Sequence, residues 1–165
     1  MTEGSQAIST RRLLAILATP PRTTGDRTRA RVNLARDIVG ADFVSIVNLF
    51  DYPTKSVLDI EISGAVDAPW IRAREEIQTA ITTATDALLG YGHRAPNGLA
   101  RTHHQHQVLW LDSLLDESDV NVWTVGGTPR HPSRWQRYTS RAYPELDFKE
   151  ALRQGLELRV PSSKI

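Results

Sequence analysis

The chain has no cysteine, which excludes a disulfide framework, a thiolate metal site and a cysteine nucleophile, and fits a reducing compartment. It also lacks any apolar run near the roughly 18–20 residues that a membrane-crossing helix requires. The stretch Met1–Thr10 is polar and offers no apolar core for a signal peptide, so the expectation is a cytoplasmic protein that does not engage a membrane. Net charge is scarce too. At a formal +1 the chain as a whole is no polycation. Low-complexity tracts, internal repeats and a dividing linker are all missing. With 165 residues, the size of one domain, the expected organisation is a flexible N-terminus over 1–10, a single α/β domain over 11–158 and a loose tail over 159–165.

What charge there is lies unevenly. Arg22, Arg27, Arg29, Arg31 and Arg36 crowd one stretch, and Arg130, Arg134, Arg137 and Arg141 crowd another with no acid between them. Local clusters of this kind can form a concentrated anion site on a neutral protein. Four short apolar runs, Leu13–Ala18, Phe43–Phe50, Asp86–Gly92 and Asn121–Val125, have the length of strands. Their weak alternation predicts that both faces are covered. Between them Thr28–Val39, Pro69–Thr83 and Leu99–Leu115 carry apolar residues at helical spacing, a further helix is expected from Ser133, and Phe148–Gln154 is a weaker candidate. This alternation predicts one three-layer domain: a four-stranded, mainly parallel sheet with helices on both faces. Right-handed crossovers then bring the ends of all four strands to one edge.

Ligands of open parallel sheets bind beyond the carboxyl ends of the strands, and the unusual residues of this chain concentrate in those loops. The first, Thr19–Thr28, is stiffened by Pro20 and Pro21, and leads past Arg22, Asp26 and Arg27 to a helix start suited to a phosphate or carboxylate. Asn48 lies near the end of the second apolar run, and Tyr52 in the next loop offers a ring for stacking or for packing. The third loop, Tyr91–Gly98, turns at Gly92 and precedes His103, His104 and His106. These three histidines suggest a metal, but no carboxylate is placed nearby to complete a zinc site. A solvated polar helix start is the reading adopted, with no metal and no cofactor. The fourth loop is the sharpest: Gly127-Thr-Pro-Arg-His-Pro-Ser133 leaves its strand through two glycines, Arg130 precedes His131, Pro132 stiffens it, and Ser133 is placed to cap the next helix. A histidine fixed in this way can present a ring N–H to developing negative charge.

Asp26-Arg-Thr28, Val47-Asn-Leu-Phe50, Gly90-Tyr-Gly92 and Gly127-Thr-Pro-Arg-His-Pro132 fall in the order and spacing of a bacterial and phage family. By them the chain, over roughly Leu13–Tyr138, resembles the family called domain of unknown function 1643. It departs where that family has Asn-Pro-Ser: here Thr19-Pro-Pro21 replaces the amide by a hydroxyl. The layout is in turn similar to that of the uracil-DNA glycosylase superfamily, whose last loop has the His-Pro-Ser of His131–Ser133. The resemblance implies cleavage of an N-glycosidic bond. His131 would hydrogen-bond the departing base, Tyr52 would stack on it, arginines would hold phosphates, and Asp26 or Thr19 would position water. The expected partner is therefore a nucleotide or nucleic acid. The alternative is a noncatalytic binding module for a phosphorylated small molecule or a protein partner.

Overall fold

A computed structural model of the chain describes residues 10–21, 23–54 and 57–160. Its elements are β1 (Arg12–Leu17), α1 (Asp26–Val39), β2 (Phe43–Asn48), α2 (Val57–Ser63), α3 (Ala68–Ile81), β3 (Asp86–Gly90), α4 (Leu99–Glu117), β4 (Asn121–Val125), a 3₁₀ turn over Pro132–Arg134, α5 (Trp135–Ala142), α6 (Phe148–Gly155) and β5 (Leu156–Leu158). The sheet runs β2-β1-β3-β4-β5. β1 to β4 are parallel, and β5 is antiparallel to β4.

The expected α/β layering and parallel sheet are present, with five strands in place of four. The fifth escaped the sequence reading because it is three residues long and follows α6 without a turn signal. Its pairing is supplied by β4, where Val125 faces Leu156. The tail expected to be loose from 159 is held at its start: the Arg159 amide donates to the Val122 carbonyl, and its guanidinium pairs with Asp112 at 2.8 Å. α2 was also missed, since Val-Leu-Asp-Ile-Glu-Ile-Ser has no clear helical stripe.

Strand alternation sorts the core into two layers. Leu14, Ile16, Val47, Leu49, Ala87 and Leu89 face α2, α3 and α4, packing with Trp70, Ile77, Leu111 and Leu115. Leu13, Leu88 and Val125 face α1, α5 and α6 with Ala35, Trp135 and Leu152, and beside them Ala15 and Leu17 meet Val32. β1 and β3, central in the sheet, are covered on both sides as predicted. β2 is not: it is an outer strand, with Phe43 and Ser45 exposed and Val44 and Ile46 only half-buried. Among the described residues no helix is long and apolar enough to cross a membrane.

The amino-terminal edge of the sheet is clamped by one buried carboxylate. Asp86, at zero side-chain exposure, accepts from Arg11 at 3.0 Å, Thr85 Oγ1 at 2.7 Å and Trp123 Nε1 at 3.0 Å. Burial pushes its pKa up, and these hydrogen bonds with the charge of Arg11 outweigh burial and hold it below 3.8. A carboxyl depressed in the folded state contributes stability above its unfolded pKa and loses it as pH falls through the folded value. Asp86→Ala is expected to cost about 2–4 kcal/mol by leaving buried donors unpaired. Urea titrations should also show wild-type stability falling below pH 3.8 with a steeper slope than the variant's. Equal slopes would contradict the assignment.

Candidate functional site

The chain order and strand order together create a break in direction. From β1 the chain crosses outward to β2, then returns past β1 to β3, so the connections leaving β1 and β3 diverge. Such a switch point opens a crevice at the carboxyl ends of the strands. A cavity of about 910 Å³ lies there.

Four loops converge on it. The first and second are stitched together: the Phe50 amide donates to the Ala18 carbonyl, the Thr54 amide to the Pro20 carbonyl, and Thr54 Oγ1 to Thr19 Oγ1 at 2.8 Å. The third and fourth are joined by the Gly92 amide, 2.6 Å from the Pro129 carbonyl, and by His93 Nε2 against Thr128 Oγ1 at 3.2 Å. Gly90 permits the close approach of the fourth loop, because a Cβ there would meet Leu17 at 2.9 Å and Pro132 at 3.3 Å.

One wall is aromatic. Phe50 and Trp70 pack at 4.6 Å between centroids, and the His104 ring stands edge-on to Trp70 at 6.0 Å. Trp70 is held by its own Nε1–H on the Gly64 carbonyl and by Gln107. That glutamine, fully buried on α4, donates to the carbonyls of Leu49 and Trp70 and accepts from Arg74 Nε. It ties α4, α3 and the exit of β2 into one frame. Tyr91 also lines the cavity; burial, and then the charge of Asp112, push its pKa up to about 12, so its hydroxyl stays protonated.

The lining carries Arg29, Arg94 and Arg134, with His93, His104 and His131, and among the described residues no aspartate, glutamate or lysine. The nearby carboxylate of Asp51 is engaged by Arg72 at 3.3 Å. A cavity with cationic walls and no acid favours an anionic occupant.

His131 is the most constrained group in it. The Ser133 backbone N–H donates to His131 Nδ1 at 3.1 Å, and Ser133 Oγ lies 2.8 Å from the same nitrogen. Nδ1 must therefore accept, which puts the proton of the neutral ring on Nε2. Burial lowers the pKa of His131 below 6.5, and the charges of Arg31 and Arg134 lower it further. The result is a neutral Nε2–H donor at neutral pH.

Of the residues expected at the site, Thr19, Asn48, Gly92, His131 and Ser133 line the cavity together. Pro20 contributes its carbonyl to Thr54 while its neighbour Pro21 forms the wall. The others stand apart. Asp26 and Arg27 are exposed on the first turn of α1 and Tyr52 is 47% exposed, all outside the lining. Arg130 turns back under its loop, donating to the Val125 carbonyl and stacking 4.0 Å over Tyr138. Gly127, at φ +81°, serves the turn and faces Glu157. Arg22 lies outside the described residues. The helix start carrying the histidines is not fully solvated: His104 is half-buried in the cavity wall, and burial lowers its pKa. Among the described residues no cluster of three His, Cys, Asp or Glu side chains could hold a metal ion.

The sequence reading missed the aromatic wall and Arg94. Phe50 and Tyr91 sat inside motifs already singled out, whereas Trp70 was indistinguishable from the apolar stripe of its helix. No protein-family model, no curated protein and no solved structure matches the chain.

The His131 ring is expected to be the Nε2–H tautomer at neutral pH in heteronuclear NMR, titrating below 6.5. Its folded pKa is depressed, so as pH falls below the unfolded value the unfolded state takes up the proton first and stability declines. A ring titrating at or above 6.5, or protonated at Nδ1, would contradict the geometry.

Proposed function

We infer that the chain is a nucleotide- or nucleic-acid-directed protein whose switch-point cavity takes a phosphorylated ligand bearing a planar heterocycle. The observation that carries this reading is the lining: arginines and histidines without an acid, beside an aromatic wall and a neutral Nε2–H donor. Arg29 and Arg134 suit a phosphate, and the donor of His131 suits a carbonyl oxygen of the base. The similarity of His131–Ser133 to the last loop of the uracil-DNA glycosylase superfamily points the same way.

Two finer readings divide on chemistry. Cleavage of an N-glycosidic bond would use His131 to stabilise the base anion as the bond to the sugar breaks. A neutral donor of low pKa fits that task, since it adds a hydrogen bond without needing to lose or gain a proton. Hydrolysis also needs a group that positions water, and the carboxylate expected for it, Asp26, is exposed and outside the lining. Thr19 is the hydroxyl that remains, already hydrogen-bonded to Thr54. The lining therefore favours binding without hydrolysis over turnover.

A thermal-shift and calorimetric screen of nucleobases, nucleosides, nucleotides and short oligonucleotides tests the reading. A nucleotide should stabilise the wild type, with affinity weakening as salt rises. His131→Ala should lower that affinity about ten- to hundredfold, the worth of a hydrogen bond in a desolvated site. Base release detected by chromatography would establish the glycosidic reading, and its absence with tight binding would establish the binding module. Affinity unchanged in His131→Ala would overturn the placement of the ligand, and no response to any nucleotide would overturn the function.

A further inference from the structure

The cavity is at the upper end of the roughly 300–1,000 Å³ typical of small-molecule sites, and its two halves belong to opposite faces of the sheet. Leu49, Phe50, Ile60 and Trp70 are part of the core beneath α2, α3 and α4. Leu17, Val32, Val44 and Ile46, which also line the cavity, belong to the small cluster beneath α1. The space therefore wraps over the ends of β1 and β2, with the strand-end loops where the two halves meet.

The second half is a slot of its own kind. α1 follows β1, so it begins at the carboxyl edge of the sheet and runs back along it. Arg29 is near the mouth, and Val32 and Asn33 come about one turn further down. Opposite them on the outer strand, Val44, Ile46 and Asn48 share one face by alternation, in register with Leu13, Ala15 and Leu17. Val32 is buried on the α1 side, so the open part of this half is bounded by the half-buried Val44 and Ile46 and by the exposed Asn33. At its upper end lies Asn48, whose Oδ1 is buried and, among the described residues, has no hydrogen-bond partner. An unpaired buried amide oxygen is costly unless a ligand supplies a donor.

We propose that the slot between α1 and β2 is a second ring subsite, and that the ligand is a dinucleotide: one heterocycle against Phe50 and Trp70, the phosphate link at Arg29 and Arg134, and the second heterocycle against Val44 and Ile46, across from Asn33, with its edge at the Asn48 amide. This rests on the nucleotide reading above and extends it to the substrate class. The aliphatic face of β2 accepts the face of a ring, and the unpaired Asn48 Oδ1 selects an edge carrying an N–H. The link is a phosphodiester or a pyrophosphate, either of which presents the same anionic oxygens to the arginines.

Calorimetry on the full chain separates the possibilities. The probes are adenosine and uridine monophosphates, the phosphodiester dinucleotides of adenosine and of uridine, and diadenosine pyrophosphate. At least one dinucleotide should bind about tenfold or more tightly than its mononucleotide, and whether the phosphodiester or the pyrophosphate does so identifies the link. Ile46→Trp and Asn33→Trp, which fill the slot from its two walls, should bring the two ligands to the same affinity. Asn33 is exposed on α1, so its variant decides the matter should the Ile46 variant not fold. Asn48→Ala should weaken the dinucleotide while leaving the melting temperature unchanged or higher. Mononucleotide binding with no preference for any dinucleotide would overturn the proposal and leave the nucleotide reading standing. A preference that survives both tryptophan variants would overturn it too. Failure of every probe to bind would instead remove the reading on which it rests.

Discussion

The site depends on how the loop between β4 and α5 satisfies its carbonyl groups. A segment of irregular backbone packed over strand ends cannot leave these acceptors unpaired without a cost of about 1–3 kcal/mol each. Here the carbonyls from Pro129 to Pro132, and that of Val125 where the loop leaves β4, are captured by groups from several parts of the fold. Arg130 returns to the Val125 carbonyl, the Gly92 amide takes Pro129, the Trp135 indole takes Arg130, the Arg134 amide takes His131, and Arg31 reaches from α1 to Pro132 at 2.8 Å. The loop is thereby tied to β4, the third loop, α5 and α1 at once. That leaves His131 one position and, through the Ser133 amide, one tautomer.

The same ties set the electrostatics. Arg31 serves a carbonyl and Arg130 a carbonyl and a tyrosine face, so the arginines of the two sequence clusters divide their labour. Some hold the scaffold, while Arg29, Arg94 and Arg134 face the cavity. The nearby scaffold cation Arg31 acts on His131 as well, adding to burial in keeping the ring neutral. The interaction that fixes the loop thus also helps to keep a hydrogen-bond donor available in an already cationic cavity, where an added charge would be costly.

Much of this was legible in the residues. β1 and β3 are buried on both faces and read as continuous apolar runs, and Gly126–Gly127 with the prolines marked the fourth loop as special. β5 was not legible, because a three-residue edge strand is defined by the hydrogen bonds of its neighbour rather than by its own composition. The exposure of β2 followed from its place at the sheet edge, which a parallel-sheet pattern does not specify. Within the site, Arg130 looked like an anion ligand by proximity to His131. Its side chain instead met Tyr138, eight positions along the chain, a contact that only the α5 packing creates. Gln107 was missed for the opposite reason: in a helix start that also carries Gln105 and three histidines, a buried glutamine is visible only through the carbonyls it reaches.

The central claim is that the switch-point cavity, and no other surface, receives the ligand. Backbone amide NMR during titration with a nucleoside monophosphate tests it most directly. Shifts confined to cavity-lining residues such as Thr28, Leu49, Gly92 and Ser133, with the His131 Nε2–H resonance moving in step, are the expected result. Shifts centred instead on the far side of the fourth loop, around Gly127, Tyr138 and Glu157, with the His131 resonance unmoved, would contradict it.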